Sequence, residues 1–321
     1  MTRILITGAN GGLGMETCKH LINDRFVTHL VMACRTEPKA TAARAQLLAE
    51  TGGAEGITIT TAAGFDMNDP DSIRAAVDGL PDQPFDVVFL QAGGVIYGKE
   101  WRATEVDGAT VERTIFQNVI GAHITLAALL QRDLVKQGAR VVIAGGEGAR
   151  GLPGVIESPH FEGPEDLRSY VLLEDTSRPY VEMNAMGVSK FASALWSQDV
   201  AERFGHRLEM IWFTPGFTAG TGGLQGIGPV KQWLFENVGF PLFKLLGRAQ
   251  NPSQGGRKFA DCLEGRIGHN GDLIGAPEGK GIGALTDQKP MNPDLTNPAL
   301  RAEFWSIVEE VAGPLPQRLA A

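Results

Sequence analysis

The sequence predicts an α/β fold in which helices cover both faces of a doubly wound parallel sheet. Short apolar runs rich in β-branched residues recur along the chain, and they do not alternate with polar residues, which is typical of strands buried on both faces. Helical patterns separate these runs, so that strands and helices alternate from the N-terminus onward. Because crossovers between parallel strands are right-handed, the helices should lie on both sides of the sheet.

Each element can be placed on the chain. A sheet of about seven strands is predicted, with strands at residues 3–7, 29–34, 57–61, 85–91, 140–144, 208–213 and 272–275. Helices are predicted near residues 13–24, 37–50, 69–79, 109–136 and 184–204, and a final amphipathic helix is predicted over 299–312. No internal repeat is visible, and we interpret residues 1–321 as a single domain.

Residues 217–270 interrupt this pattern. Gly and Pro become frequent there, and the stretch 229–247 is rich in large apolar side chains. We predict an insertion within the domain that covers the C-terminal edge of the sheet and a bulky apolar substrate. Simple packing on the sheet is an equally good interpretation, and an amphipathic helix on a membrane surface is a weaker one. The candidate lid residues are Trp233, Leu234, Phe235, Phe240, Leu242, Phe243, Leu245 and Leu246.

Composition and charge argue against several classes of protein. The net charge is −8 without a basic run, which disfavours nucleic acid or an anionic membrane surface as a partner. The three cysteines are far apart, which favours a reducing, cytoplasmic location over a disulfide framework. No apolar run reaches about 18 residues, so we expect no signal peptide and no membrane span. The histidines form no metal-ligand motif, so no metal is expected.

A glycine-rich stretch follows the first predicted strand and opens the first helix. It reads Thr7-Gly8-Ala9-Asn10-Gly11-Gly12-Leu13-Gly14. Glycines at these positions allow a tight turn and close approach of the backbone to a pyrophosphate, which the N–H groups of the helix N-terminus would bind. The alternative is a glycine-rich structural turn without a ligand.

The end of the second strand bears on the choice of coenzyme. An acidic residue near this point would hold a ribose 2′-hydroxyl, whereas an arginine would hold a 2′-phosphate. The strand ends in Cys34-Arg35, and the first acidic residue is Glu37. Because a guanidinium matches the geometry of a phosphate, we favour NADP(H) over NAD. The alternative is that Arg35 is only a solvated strand end.

These features resemble the short-chain dehydrogenase/reductase family, which has a Rossmann-type fold and binds a nicotinamide coenzyme. Beyond the glycine loop, the likeness rests on Asp66, Ala92-Gly93, Asn118-x-x-Gly121, Lys190 and Pro215-Gly216, and it covers nearly the whole chain. The resemblance implies a coenzyme site formed by Thr7, Gly8, Asn10, Gly12, Leu13, Gly14, Arg35, Asp66, Met67, Ala92, Gly93, Lys190, Pro215, Gly216, Phe217 and Thr218.

One branch of the family is more similar than the others. Ala33-Cys34-Arg35, and the long stretch between the fifth strand and Lys190, resemble the NADP-preferring retinol dehydrogenase and protochlorophyllide reductase branch. Ser253-Gln254-Gly255-Gly256 and Phe304-Trp305 are weaker points of likeness. Family members often pair through the fifth and sixth helices, so the resemblance leaves a homodimer open.

Three positions depart from the family pattern, and all three bear on its chemistry. In the family a serine holds the substrate oxygen, a tyrosine supplies or removes its proton, and a lysine lowers the pKa of the tyrosine and binds the nicotinamide ribose. A thioether has no proton to give and glycine has no hydroxyl, so the usual acid is absent. The departures are Leu90-Gln91-Ala92-Gly93 for Asn-Asn-Ala-Gly, Gly145-Gly146 for two serines, and Met186 for the tyrosine.

Two residues of the family's catalytic set remain. We predict that Lys190 still binds the ribose hydroxyls and that Asn118 keeps a structural and water-holding place in its helix. The alternative is that Lys190 is an exposed helix lysine. Tyr180, six residues before Met186, and Glu147 are the main candidates for a relocated acid, although each is more typical of a structural or solvated residue. His160, Tyr170 and Tyr97 are weaker candidates.

The sequence therefore supports three hypotheses of function. The first is an NADP(H)-dependent oxidoreductase with a non-standard catalytic site, formed around Lys190, Asn118, Tyr180, Met186 and Gly146, that acts on a bulky apolar C=C or C=O substrate. The second is a catalytically inactive NADP(H)-binding sensor or partner protein. The third is a non-redox isomerase or cyclase that reuses the pocket. A titratable side chain close to the nicotinamide would favour the first over the second.

Overall fold

The computed structural model describes residues 1–219 and 249–316. Its main sheet has eight strands in the order β10-β9-β8-β7-β4-β1-β2-β3, all parallel except β10. The strand order reverses at β1, which has β2 on one side and β4 on the other. The predicted fold class is confirmed. The strands are β1 (Arg3–Thr7), β2 (His29–Ala33), β3 (Thr58–Ala62), β4 (Phe85–Leu90), β5 (Ala103–Val106), β6 (Ala109–Glu112), β7 (Val135–Ala144), β8 (Leu208–Phe213), β9 (Leu273–Gly275) and β10 (Thr286–Asp287).

Helices cover both faces of the sheet. The side chains of β1 show this directly, because Leu5 belongs to one apolar core whereas Ile4 and Ile6 belong to the other. Burial on both faces is why these strands show no polar alternation. The helices are α1 (Gly12–Asn23), α2 (Glu37–Glu50), α3 (Pro70–Asp78), α4 (Arg113–Ile115), α5 (Gly121–Gln131), α6 (Pro164–Val171), α7 (Glu182–Phe204), α8 (Pro252–Leu263) and α9 (Pro298–Ala312), with a π-helical segment at Phe116–Ile120 and 3-10 turns at Glu147–Arg150, Lys289–Met291 and Pro293–Thr296.

The predicted helix at 109–136 is wrong at both ends. Residues 109–112 form β6, which pairs with β5 as an antiparallel hairpin, and residues 135–136 begin β7. The turn of the hairpin is Asp107-Gly108, where φ is 47° and 88°. Asp-Gly between two short strands is a strong hairpin signal because both turn residues must adopt positive φ. The helical periodicity of the following segment obscured it.

The described part of the range 217–270 includes helix α8. This helix packs against α1 and contributes Phe259 and Leu263 to the apolar core that α1 and α2 share. It therefore forms part of the helical layer over the sheet. The stretch 229–247, with all the candidate lid residues, lies outside the described residues, so its role as a lid stays a prediction.

One helical stretch, Arg113–Gln131, is long and apolar enough to cross a membrane, with a mean hydropathy of 1.2. In this fold 78% of it is buried inside the protein. A core helix meets the same criterion of length and composition, and the burial of this stretch in one of the two apolar cores accounts for its apolarity.

Helix α9 packs on the outer side of α5 and α7. Gln198 of α7 donates to the carbonyl oxygen of Leu295 at 2.8 Å, and Arg301 of α9 donates to Asp199 at 3.2 Å. The ring of Trp305 lies against Phe204, with 6.4 Å between centroids. These contacts bury the C-terminal half of α7 within the chain itself.

The contact between α8 and α1 depends on two adjacent glycines of α8. A Cβ on Gly256 would lie 2.6 Å from Cβ of Glu16 and 2.8 Å from its carbonyl carbon. A Cβ on Gly255 would lie 2.7 Å from Cδ2 of Leu13. These distances are shorter than van der Waals contact, so the two helices can approach this closely only with glycine at both positions.

Gly256→Ala is expected to lower the free energy of unfolding by about 1–3 kcal/mol, because the methyl group must displace the backbone of α1. The measurement is urea unfolding followed by circular dichroism. Gly79→Ala is the matched control, since its Cβ would meet only carbonyl oxygens at 3.6 Å. Equal stability of the two variants would contradict the close helix contact.

Candidate coenzyme and reaction site

The turn between β1 and α1 has the geometry of a phosphate-binding loop. Gly8 has a φ of 67°, and a Cβ on it would lie 3.0 Å from Cα of Ala92. A Cβ on Gly14 would lie 2.4 Å from Oε1 of Gln91 and 2.6 Å from the carbonyl oxygen of Gly8. Helix α1 has no side-chain cap and no acidic residue in its first turn. Its first N–H groups are therefore open to an anion.

A cavity of about 250 Å³ extends from this loop along the carboxyl ends of β1, β2 and β4. It lies in the crevice beside β1, where the strand order reverses and where ligands of doubly wound sheets bind. Predicted coenzyme residues form much of its wall. The lining residues are Gly8, Asn10, Gly11, Arg35, Lys39, Phe65, Asp66, Met67, Asn68, Gln91, Ala92, Gly93 and Gln117.

The wall of this cavity carries buried polar atoms without a hydrogen-bond partner. Oδ1 of Asn68 and Oε1 of Gln91 are buried and have no hydrogen-bond partner among the described residues. A buried acceptor without a donor is unfavourable by about 1–3 kcal/mol, so a ligand with N–H or O–H groups fits here. Arg35 and Lys39 are exposed cations at the same cavity and suit a phosphate.

The hydroxyl of Thr7 joins the ends of β1 and β4. It donates to the carbonyl oxygen of Phe89 at 3.2 Å and accepts the N–H groups of Gln91 at 2.9 Å and Ala92 at 3.0 Å. This places Ala92 and Gly93 beside the glycine loop. The buried hydroxyl of Thr7 therefore holds the part of the cavity wall that follows β4.

Asn118 holds the loop after β4. Its Nδ2 donates to the carbonyl oxygens of Thr114 at 2.8 Å and Gly94 at 3.0 Å, and its Oδ1 accepts the N–H of Gly94 at 3.1 Å. A Cβ on Gly93 would lie 2.4 Å from Oδ1 of Asn118. Asn118 lies in the π-helical segment, and such segments are frequent at functional sites.

Lys190 and Met186 lie one turn apart on α7 and therefore share a face of the helix. Nζ of Lys190 donates to the carbonyl oxygen of Ala144 at 2.7 Å, at the end of β7. A Cβ on Gly146 would lie 3.1 Å from Cγ of Lys190, so the lysine stem runs beside position 146. Lys190 is only 8% exposed, which differs from the alternative of an exposed helix lysine. Burial lowers its pKa to about 8.

The two glycines after β7 differ in their surroundings. A Cβ on Gly145 would lie 2.4 Å from Cε2 of Trp212, because the indole ring of β8 fills that space. Nε1 of Trp212 donates to Oγ of Ser193 at 2.8 Å and fixes the ring. The space at Gly146 is bounded by the flexible lysine stem instead. Only position 146 can therefore accept a side chain without moving a core aromatic ring.

The loop after β8 is anchored through its backbone. The carbonyl oxygen of Pro215 accepts from Nε2 of Gln250 at 2.7 Å and from Nζ of Lys258 at 2.9 Å. Gly216 has a φ of 97°, and a Cβ on it would lie 2.7 Å from the carbonyl oxygen of Gly281. Phe217 donates its N–H to that same oxygen. Thr218 lies against Gly255, which is the residue that also faces Leu13.

The two main candidates for a relocated acid are bound to other parts of the protein. The hydroxyl of Tyr180 donates to the carbonyl oxygen of Ile96 at 2.7 Å and lies 3.2 Å from Oγ1 of Thr114. The buried carboxylate of Glu147 accepts from Oγ1 of Thr214 at 3.0 Å. Burial raises the pKa of both side chains. Their hydrogen bonds support structural roles.

The weaker candidates have local surroundings of their own. Nδ1 of His160 lies 2.7 Å from Oδ2 of Asp294. Tyr170 packs edge-on against Trp101 and Phe161, and burial raises its pKa. Burial also raises the pKa of Tyr97. Within residues 1–219 and 249–316, no group of three or more His, Cys, Asp or Glu side chains could hold a metal ion.

Sequence reasoning missed several cavity residues. Lys39 lies in the first turn of α2, four residues after Arg35, and both line the cavity. The spacing of these two cations in the sequence was a usable signal for a second phosphate ligand. Asn68 donates through Nδ2 to Oε1 of Gln117 at 2.8 Å across 49 residues of sequence. That pair, like the packing of Trp212 on Gly145, arises from tertiary structure and has no local sequence signal.

The fold and the site define a doubly wound α/β protein with a glycine-lined crevice at its strand-order reversal. A family model described as short chain dehydrogenase matches residues 2–156. This match over residues 2–156 supports the predicted resemblance to the short-chain dehydrogenase/reductase family.

Individual relatives extend the likeness along the chain. The WW domain-containing oxidoreductase of Gallus gallus is 29% identical over 205 residues, which are 62% of this chain and 44% of that protein. The WW domain-containing oxidoreductase of Danio rerio is 26% identical over 96% of this chain and 68% of that protein. The match to the first of these relatives thus spans less than half of its length.

Among solved structures, a short-chain type dehydrogenase/reductase from Mycobacterium ulcerans superimposes with a TM-score of 0.59 at 19% identity. The superposition covers 94% of this chain and 97% of that one. At this identity the likeness concerns the fold, and it agrees with the strand order described above.

Proposed function

We propose that this protein is an NADP(H)-dependent oxidoreductase of short-chain dehydrogenase type that acts on a bulky apolar C=O or polarised C=C substrate at a non-standard site. The observation that carries the proposal is the crevice itself, which is lined by the glycine loop and by two cations, Arg35 and Lys39. The buried Lys190 is bound separately, to the carbonyl oxygen of Ala144 at the end of β7. We further propose the retinol dehydrogenase and protochlorophyllide reductase branch, on the sequence likeness around Arg35. The apolar substrate rests on the composition of 229–247.

The chain's own residues fit the coenzyme in three places. Gly8, Gly14 and the open N-terminus of α1 would bind the pyrophosphate. Asp66, Met67 and the unpartnered oxygen of Asn68 would surround the adenine. Arg35, with Lys39 beside it, would bind the ribose 2′-phosphate.

Lys190 and the loop Pro215–Thr218 would hold the nicotinamide end. Lys190 has N–H groups beyond the one that it donates to Ala144, and these would bind ribose hydroxyls. The anchored backbone of residues 215–218 would position the ring. The bound coenzyme would supply or accept the hydride, and the residues around Gly146 and Met186 would leave an apolar, open volume beside it.

A second candidate function is a coenzyme-binding sensor without turnover. The hydrogen bonds that hold Tyr180 to Ile96 and Glu147 to Thr214 favour it, because neither relocated acid is free in the described structure. NADPH binding without any oxidation by apolar ketones or enones would support this function over the first.

The experiment that tests the coenzyme assignment is a pair of titrations with NADPH and NADH, followed by fluorescence. Arg35→Ser is expected to weaken NADPH about 10–100-fold and to leave NADH nearly unchanged, since it removes a charge-assisted contact to the 2′-phosphate alone. Arg74→Ser is the control, because Arg74 pairs with Asp71 and Asp107 away from the cavity. Equal losses for both coenzymes would contradict the role of Arg35, and no binding of either to the native protein would contradict the proposed function.

A further inference from the structure

The side chain of Lys190 runs beside Gly146, the place from which the family's serine would project. Its stem passes 3.1 Å, 3.6 Å and 3.7 Å, at Cγ, Cδ and Cε, from the position of a Cβ on Gly146. The structure gives this ammonium one hydrogen bond to residues 1–219 and 249–316, the bond to Ala144. Because an ammonium carries three N–H donors, two remain, which allows one for the ribose hydroxyls and one for a substrate oxygen.

No carboxylate of the described residues neutralises this charge. Burial alone lowers the pKa of Lys190 to about 8, which brings its proton affinity close to neutral pH. None of the charged groups around Lys190 contributes to this lowering of its pKa. On the elements that pack against α7, these groups include Glu112, Arg113, Glu147, Arg150, Glu209, Asp294, Arg301, Glu303, Glu309 and Glu310, and on α7 itself they include Glu182 and Asp199.

Other protic side chains near this turn of α7 have their protons bound elsewhere. Tyr180 donates to the carbonyl oxygen of Ile96. Oγ of Ser189 donates to the carbonyl oxygen of Met186 at 2.8 Å. Oγ1 of Thr214 donates to the carboxylate of Glu147. Of these four side chains, Lys190 is therefore the one that keeps N–H donors for a ligand.

We propose that Lys190 is itself the proton donor of this site, in place of the hydroxyls that Gly146 and Met186 lack. The inference rests on the proposed function. In the reduction of a ketone, the carbonyl carbon gains the hydride from NADPH and the C=O π bond breaks. The carbonyl oxygen takes a proton from Nζ of Lys190, which becomes a neutral amine and regains a proton from water. The coenzyme is oxidised and the ketone is reduced to the alcohol.

The same position serves a polarised C=C bond. The hydride then enters the β-carbon, and an N–H of Lys190 stabilises the negative charge on the enolate oxygen. Water supplies the proton that finally enters the α-carbon. A single ammonium thus suits both substrate classes, because both develop negative charge on an oxygen.

The first test needs no turnover. NMR of the native protein with labelled lysine side chains follows Nζ of Lys190 through a pH titration, with Lys190→Arg identifying its signal. We expect a midpoint near 8 and a shift of the signal when NADP⁺ and 2-decalone are added together. A midpoint at about 10.4, the ordinary value for lysine, would overturn the proposal.

The second test is steady-state reduction of 2-decalone and 2-cyclohexenone with NADPH. Only the ammonium can donate, so the rate should fall as pH rises through about 8. Lys190→Met should lower kcat about 10²–10⁴-fold. Lys190→Arg should lower kcat strongly and lose the alkaline limb, because a guanidinium retains its proton. Lys136→Arg is the control, since Lys136 pairs with Asp86 on the other end of the sheet.

The outcomes separate this inference from the proposed function. Loss of kcat with nearly unchanged NADPH affinity supports a proton donor, whereas a loss confined to KM for NADPH supports ribose binding alone and overturns the inference. An unchanged pH profile in Lys190→Arg also overturns it. A native protein that binds NADPH but never oxidises it contradicts the oxidoreductase, while the NMR titration still reports on Lys190.

Discussion

Ketone reduction by NADPH is expected to rise about 10²–10⁴-fold when Met186→Tyr is combined with Gly146→Ser, because the pair would add a phenolic acid and a serine hydroxyl beside the ammonium of Lys190. Met186 lies one turn before Lys190 on the same face of α7. A tyrosine there would place its hydroxyl near the ammonium, whose charge would lower the pKa of the phenol. The measurement is the rate of absorbance loss at about 340 nm, the nicotinamide band, with 2-decalone as substrate.

The space around the two positions decides how the double variant must be designed. A Cβ on Gly146 meets Cγ of Lys190 at 3.1 Å, and a flexible stem can yield by a few tenths of an ångström. Gly145→Ser is the matched control, because its Cβ would meet the ring of Trp212 at 2.4 Å and its hydroxyl would lie in the core. We expect Met186→Tyr with Gly145→Ser to lose stability and to gain no activity.

The double variant also separates the two candidate functions. A gain in ketone reduction would mean that the coenzyme and the substrate already meet in the crevice and that a phenolic hydroxyl at position 186 can reach the substrate oxygen. A folded double variant that binds NADPH and still reduces no ketone would contradict the placement of position 186 beside the nicotinamide. The sensor would then be the better account.

Much of the fold was predictable because its signals are local. Glycine spacing after β1, the apolar runs of the buried strands and the long helix around Lys190 each depend on residues close in sequence. The wrong predictions also come from local sequence patterns. The helical pattern after Glu112 hides the hairpin at Ala103–Glu112, and the frequent glycine and proline of 217–270 hide helix α8.

The sequence predicted individual residues of the site but not the hydrogen bonds between them. Asn118 and Lys190 could be chosen from motif spacing, but their partners are distant in sequence. Lys190 bonds Ala144 across 46 residues, and Tyr180 bonds Ile96 across 84. Such contacts decide whether a hydroxyl is available for chemistry. The sequence could therefore name Tyr180 as a candidate acid without showing that its proton already has an acceptor.

Gly14→Val is expected to weaken NADPH binding more than about 100-fold, which is roughly 2.8 kcal/mol of binding free energy. Any Cβ at this position would lie 2.6 Å from the carbonyl oxygen of Gly8 and 3.0 Å from Cα of Ala9. Both atoms belong to the backbone of the turn, so the loop must open and its N–H groups lose their common direction. The measurement is the Kd for NADPH by fluorescence titration.

A loss of stability could imitate a loss of binding, so the variants must be compared in the folded state. Overpacking at Gly14 should also lower the free energy of unfolding by about 1–3 kcal/mol, and circular dichroism at low temperature establishes how much protein is folded. Gly11→Ala is the graded control, because its Cβ would meet the oxygen of Gly8 only at 3.3 Å. If folded Gly14→Val bound NADPH within about threefold of the native Kd, the pyrophosphate would not lie on this loop. That result would contradict the proposed coenzyme site.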